Sequence, residues 1–465
     1  MDGVQAFKER VTEIAKEFKK IPKSETIRLV SHLDCDGICA CSIIINALNK
    51  DNRSYSILIL PQLKDETVAK LAEEDYQTFV FTDLGSGNLP SLNRYLSNKK
   101  VFVLDHHRVQ GLEADFIQHL NPRVFNLKEN EISGSGVAYF FSKHLTSDYK
   151  SMSHIALIGA IGDIQENNGF SGLNCEILDD AISEKKIVVR TGLRLFGVNS
   201  RPIHKLLEYG SDLEIPGVTG SESGTIQFLH SIGINPKKGY AWKKLTDLSD
   251  SELQKLVAGI IMRRSDLNNS EDIFSNIYYL PDESLSVLKN AKEFSTLLNS
   301  CGRLDKASLG IGVCLGNPEL KRRAVKSQSN YKREIVTAMH WFSKNKDSSD
   351  VIRGDGFIIM NAKYNVLPTI IGTTASILVK SGDFPDGFLI LSLARNSDMT
   401  TKISLRIAGR TSNVDLKKIL SDIVAISGGE AGGHQYAAGA VIDTAVEEDF
   451  ILAAQNILKN LIRKK

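Results

Sequence analysis

Short apolar runs alternate with stretches of helical period along this chain, and the alternation is strictest in the first third. TIRLVSH (26–32), YSILILP (55–61), TFVFTD (78–83) and KKVFVLDHH (99–107) read as strands. Each is dense in β-branched, aliphatic or aromatic residues and short enough for one pass of a sheet. Between them lie GICACSIIINALNK (37–50) and KDETVAKLAEE (64–74), whose apolar positions recur at helical spacing. Residues 3–20 place Val4, Phe7, Val11, Ile14, Ala15 and Phe18 on one helical face. SGSGVAYFFSKHL (133–145) predicts a helix capped by Ser133 or Ser135, and HIALIGAIGD (154–163) another. Strands alternating with helices predict an α/β fold, a parallel sheet with helices on both faces.

From about 190 to 300 the pattern changes to helix punctuated by NSRP, IPGVTGSESG and INPKKG. Residues 303–345 read as helix broken by a polar stretch. Alternation resumes after 351, with GFIIMNA, GFLILSLARN and TKISLRIAGR as strands and NVDLKKILSDIVAI as a helix, before a glycine-rich GGEAGGHQYAAGAVI at 428–442. The expected organisation is a parallel-sheet domain over 1–190, a helix-rich insert over 191–300 and a connecting helical segment over 301–350. A smaller α/β domain follows over 351–465, with an active-site cleft between the two α/β domains.

Length supports this division, since 465 residues exceed one ordinary domain. Charge does not choose a partner: 57 Lys and Arg stand against 55 Asp and Glu, and a nucleic-acid binder needs only a local basic stripe. The six cysteines form no C-x-x-C pair, so they read as reduced thiols of an intracellular protein. The amphipathic N-terminus lacks the apolar stretch of a secretory signal, and no segment reaches the ~18 apolar residues of a membrane span. A cytoplasmic protein without membrane contact is the expectation.

The chemistry concentrates where strands end. HLDCDG (32–37), FTDLGSG (81–87), VLDHH (103–107) and GAIGD (159–163) each follow or end an apolar run. In open α/β sheets, sites form at such ends. Hydrolysis at phosphorus with two metal ions needs one carboxylate shared by both, with hard oxygens and neutral imidazoles as the other ligands. His32, Asp34, Asp36, Asp83, Asp105, His106, His107 and Asp163 supply that set. If 32–36 is extended, His32, Asp34 and Asp36 share one face. Gly37 then allows the turn into the following helix and the approach of a phosphate to its N-terminus. In GGEAGGH, glycines can turn backbone N–H groups toward an anion.

These four clusters, in order and spacing, resemble the motifs of the DHH phosphoesterase superfamily. GGHQYAAG resembles the motif of its DHHA1 accessory domain, and NSCGRL (299–304) the Asn-x-x-Gly-Arg segment of RecJ-type nucleases. The resemblance implies that His32 and Asp34 bind one metal, that Asp36, His106 and Asp163 bind the other, and that Asp83 bridges them. It implies that Asp105 orients His106 and that His107 contacts the scissile phosphate. Asp34, Asp36, Asp83, His106, His107 and Asp163 are then the catalytic set. Arg303, Ser404, Arg406, Gly432, Gly433 and His434 are the substrate-phosphate grip. The implied cofactors are two divalent ions, Mn2+ first and Mg2+ as the alternative.

The compact length resembles archaeal RecJ-like proteins whose relatives associate with the GINS component of the replicative helicase. The implied activity is a 5′–3′ exonuclease on single-stranded DNA, with RNA as the other strand type, acting in replication or repair. An oligoribonuclease or cyclic dinucleotide phosphodiesterase is the enzymatic alternative. A replication scaffold with vestigial activity is the alternative from another class, opposed by the presence of every motif acid and histidine.

Overall fold

The computed structural model describes residues 3–463 apart from 168, 211–212, 266–271, 382, 410–413 and 435. The chain folds as two units, the first ending at Ser327 and the second beginning at Gln328. Among the described residues, no helix is long and apolar enough to cross a membrane.

The first unit opens with α1 (Gly3–Lys19), then alternates β1 (Ile27–His32), α2 (Cys35–Lys50), β2 (Tyr55–Leu60), α3 (Asp65–Glu73), β3 (Thr78–Thr82), α4 (Leu89–Tyr95), β4 (Lys100–Leu104) and β5 (Ile117–Leu120). The strands pair in parallel in the order β2-β1-β3-β4-β5. Successive side chains point to opposite faces, and both faces are covered. Val80, Phe102 and Leu104 join the core under α1 and α2. Phe79, Phe81, Val101 and Val103 join the core under α3 and α4. The parallel sheet with helices on both faces is thus as the pattern predicts. The short β5 (IQHL) goes beyond it, because Gln118 and His119 interrupt its apolar run.

Helices α5 (Gly134–Ser142), α6 (Ser153–Gly162) and α7 (Leu173–Ser183) pack on the first of these cores. Ser133 is the N-cap of α5, its hydroxyl accepting from the Gly136 N–H. The helix-rich middle then follows. β6 (Val188–Leu193) and β9 (Phe274–Tyr279) form an antiparallel ribbon. Between them lie α8 (Ile203–Glu208), α9 (Glu222–Ser231), the small hairpin β7 (Lys237–Lys238) and β8 (Ala241–Trp242), and α10 (Asp250–Arg263). This insert has its own core, including Leu206, Leu207, Phe228, Leu229, Leu256 and Ile260. The chain then returns to the first core through α11 (Ala291–Arg303) and α12 (Ala307–Cys314). α13 (Pro318–Asn345) is continuous where a polar break was expected, and contains the division between units.

The second unit is a six-stranded mixed sheet among the described residues, ordered β10-β11-β12-β13-β15-β14. Its strands are β10 (Val351–Gly354), β11 (Phe357–Asn361), β12 (Leu389–Arg395), β13 (Thr400–Ile407), β14 (Glu430–His434) and β15 (Ala437–Asp443). Only β11 and β12 pair in parallel, joined by the crossover helix α14 (Pro368–Lys380). α15 (Leu416–Ser427) and α16 (Glu447–Arg463) pack on the opposite face.

Candidate metal centre

β1 lies at the point where chain order reverses: β2 is on one side and β3 on the other. A crevice forms at the carboxyl ends of strands at such a switch. His32 is the last residue of β1, Asp83 directly follows β3 and Asp105 directly follows β4.

The HLDCDG segment is not extended throughout. The strand stops at His32 and α2 begins at Cys35, with Asp34 as its N-cap accepting from the Gly37 N–H at 3.0 Å. That N–H is therefore committed to Asp34 rather than offered to a phosphate. Gly37 is required for another reason: a Cβ there would meet the His32 carbonyl oxygen at 2.4 Å. The break also directs Asp36 away from His32 and Asp34, toward the start of α5. There its carboxylate accepts from the Ser133 hydroxyl (2.9 Å), the Gly134 N–H (2.6 Å) and the Ser135 N–H (3.0 Å). Charge-assisted bonds from a helix N-terminus hold a carboxylate firmly.

Asp83 adopts a left-handed backbone conformation (φ 57°), its N–H donating to the Leu104 carbonyl at 2.9 Å. Its side chain is buried, and neither carboxylate oxygen has a hydrogen-bond donor among the described residues. Gly134 makes room for it, since a Cβ there would lie 2.5 Å from Asp83 Oδ1. Asp163 is the C-cap of α6.

The candidate ligand atoms fall into three overlapping groups: His32 with Asp34 and Asp83, Asp36 with His106 and Asp163, and Asp83 with Asp105, His106 and His107. His32 Nδ1 lies 2.9 Å from Asp34 Oδ2 and 3.6 Å from Asp83 Oδ2. His106 Nε2 lies 3.3 Å from Asp163 Oδ2, 3.7 Å from Asp36 Oδ2 and 3.3 Å from Asp83 Oδ1. Asp83 thus turns one oxygen toward His32 and the other toward His106.

The electrostatics are those of a site short of positive charge. Burial, then the Asp36 carboxylate, push Asp83 and Asp163 well above the usual carboxylate range. Burial opposes charging of His106, yet Asp163 and Asp36 outweigh it and raise the imidazole. Buried carboxylates that repel one another and oxygens without donors are what bound cations would satisfy. Hard oxygens with imidazole suit Mn2+ or Mg2+. The residues present therefore fit a pair of divalent ions.

In the Asp-His-His triplet one expectation changes. Asp105 was expected to orient His106. Its carboxylate instead bonds the His107 ring, Oδ1 to Nδ1 at 2.8 Å, and reaches His106 only through the backbone N–H. Residues i and i+2 share a face at a strand end, so Asp105 and His107 lie together and His106 points to Asp36, Asp83 and Asp163. Residues that the sequence does not single out secure the triplet. The Ser86 N–H donates to Asp105 (2.9 Å), Asn121 to the His107 carbonyl (2.8 Å) and Arg123 to the His106 carbonyl (2.7 Å).

NSCGRL has a visible task. The Asn299 side-chain oxygen accepts from the Cys35 N–H at 3.0 Å, and a Cβ on Gly302 would lie 1.7 Å from the Leu33 carbonyl oxygen. α11 thus supports the HLDCDG turn from behind. Arg303 is the last residue of this helix and partly buried.

The remaining expected residues lie in the second unit. Ser404 and Arg406 share a face of β13, and both approach Gly372 of α14. Arg406 donates to the Ser376 hydroxyl and to the carbonyls of Leu405 and Ala438. The GGH stretch is an edge strand rather than a loop: Gly432 and Gly433 pair with Gly439 and Ala438. Positive φ angles at Gly428, Gly429 and Gly433 accompany it. The His434 side chain lies outside what is described.

Residues 26–162 match the DHH family N-terminal domain, 195–273 the DHH-CID domain and 354–460 the DHHA1 domain. The chain belongs to the DHH/DHHA1 superfamily. Among relatives of this DHH/DHHA1 protein is an uncharacterized protein of Methanocaldococcus jannaschii, 27% identical over 467 residues and 98% of each chain. The structure of RecJ from Thermus thermophilus in complex with Mn2+ is similar in fold. It has a TM-score of 0.58 at 14% identity over 97% of this chain, which spans 54% of that RecJ chain. CDC45 from Entamoeba histolytica is similar in fold as well, with a TM-score of 0.65 at 13% identity over 98% of this chain and 99% of the other.

Proposed function

We propose that this DHH/DHHA1 protein is a two-metal phosphodiesterase that shortens single-stranded DNA from its 5′ end. One observation carries the reading: Asp83 turns one oxygen toward His32 (3.6 Å) and the other toward His106 (3.3 Å), and these buried oxygens have no donor among the described residues. His32 and Asp34 would hold one ion, Asp36, His106 and Asp163 the other, and Asp83 both. Bound there, the ions would supply Lewis acidity at phosphorus and lower the pKa of a water. The chain's own residues bind and orient. His107, fixed by Asp105, is half exposed beside the metal ligands and donates toward a phosphate oxygen. Ser404, Arg406, Gly432, Gly433 and His434, with Arg303, grip the strand's phosphates. In this division 1–190 performs hydrolysis, 191–300 is an insert suited to a replication partner such as GINS, 301–350 connects, and 351–465 holds substrate.

The likeness to RecJ in complex with Mn2+ supports the metal. The fold likeness to CDC45 along almost the whole chain favours a second reading, a scaffold in replication. The complete set of acids and imidazoles weighs against a purely structural role. The test is a Mn2+-dependent digest of 5′- and 3′-labelled single strands of DNA and RNA, with dinucleotides alongside. Stepwise loss from the 5′ end of DNA supports the proposal. Consumption of dinucleotides alone replaces it with the short-substrate activity, and no cleavage of any substrate leaves the scaffold.

A further inference from the structure

The first unit contains a cavity of about 310 Å3 apart from the metal ligands, between the end of α6, the β6–β9 ribbon and the start of α11. We propose that it is a nucleobase subsite for the strand held at the metal centre. The assignment rests on the nucleic-acid reading of that centre.

Position is the first argument. Ile161, in the cavity wall, is two residues before Asp163, and Glu166 and Asn167 are three and four after it. A group seated here is covalently close in the protein to a proposed metal ligand. Lining chemistry is the second. Phe196, Phe274 and Tyr278 present aromatic surface, and Asn167 and Asn276 present amides. Aromatic faces stack on bases, and an amide offers both a donor and an acceptor to a base edge.

Charge is the third argument, and it separates a base from a phosphate. Arg194 pairs with Asp272 at 2.8 Å, and Lys292 faces Glu166 at 3.4 Å. Both cations of the wall already have counter-charges, so the cavity suits an uncharged polar ring. Finally, Tyr278 is 4% exposed, and its hydroxyl, beside the Asn276 side chain and the Phe170 backbone, has no acceptor for its proton among the described residues. Such a buried donor is costly unless a ligand satisfies it, and a base carbonyl or ring nitrogen would do so.

The experiment uses the full chain. Binding of a labelled single strand is measured by fluorescence anisotropy with Ca2+ in place of Mn2+, replacing one nucleotide at a time by an abasic analogue. Loss of the base at one position should weaken binding about tenfold. Thr191→Trp, which fills the cavity from β6, should erase that dependence, and Tyr278→Phe, which removes only the hydroxyl, should reduce it. Mn2+-dependent hydrolysis of bis(p-nitrophenyl) phosphate, which carries no base, should be unchanged in both variants. A flat abasic scan, a position-specific penalty that persists in Thr191→Trp, or no strand binding at all overturns the subsite. If the scan behaves as expected but bis(p-nitrophenyl) phosphate is not hydrolysed, the phosphodiesterase reading falls and the subsite stands.

Discussion

Asp83 holds a left-handed backbone conformation and a buried carboxylate without donors, both unfavourable in an empty fold. Such strain persists where it serves a site. Asp83→Asn replaces a repelled charge by an amide that can donate to its carboxylate neighbours. The metal-free variant should melt about 2–5 °C higher than wild type, while the stabilisation by Mn2+ expected of wild type should be absent. Calorimetry with and without Mn2+ checks both signs. Asp34→Ala should lower Mn2+-dependent cleavage at least about 1,000-fold, with an unchanged circular dichroism spectrum. A separate residue sets a pH response. Burial, with Lys186 and Lys321 nearby, pushes His154 down to about 3, so the folded chain keeps it neutral. The unfolded chain protonates it near 6.5. Stability from this group is therefore complete above about pH 6.5 and falls as pH drops toward 3, by up to about 1.4 kcal/mol per pH unit. His154→Gln should flatten that slope in urea midpoints taken at pH 7 and pH 5.

At the scale of elements, α11 and α5 matter because they grip the loops of the proposed metal centre from behind. Gly302 of α11 leaves no room for a methyl group against Leu33, and Asn299 holds the Cys35 N–H. Gly302→Ala should cost about 1–3 kcal/mol through overpacking. Asn299→Ala should weaken Mn2+ binding about 10–100-fold, the usual loss when a support of a ligand is removed. Isothermal titration of the folded variants measures it, and wild-type affinity in Asn299→Ala would show that α11 only packs. This is also where legibility in the sequence ends. His32, Asp34, Asp83, His106 and Asp163 are visible because each stands at the end of an apolar run. The switch from strand to helix between His32 and Cys35 is not, since HLDC has no strong preference for either. Asn121, Arg123 and Ser86 escape notice because an isolated polar residue acquires its role only from a partner brought close by the sheet. The glycines of GGH suggest a loop, and only pairing with β15 makes them a strand.

At the scale of the molecule, the alternation of apolar runs and helical stretches was enough to foresee two α/β sheets separated by a helix-rich insert. The pattern could not tell that α13 is continuous, because its polar face resembles a break. The two units have distinct cores, one around α2, α5 and α6 and another around β12, β13, α15 and α16. The candidate ligand groups draw on His32, Asp34, Asp36, Asp83, Asp105, His106, His107 and Asp163, all within the first unit. Ions that neutralise crowded carboxylates stabilise the fold that holds them by about 2.7 kcal/mol at one hundred times the dissociation constant. That free energy reaches only amides whose opening would break the site. Hydrogen exchange with Mn2+ should therefore slow at the Asp34–Gly37 turn, at Ser86, at His106 and His107 and at Gly134–Gly136, and remain unchanged along β12 and β13. Equal slowing in both units would mean that the metals act on the chain as a whole, and the separation of hydrolysis from substrate grip would have to be abandoned.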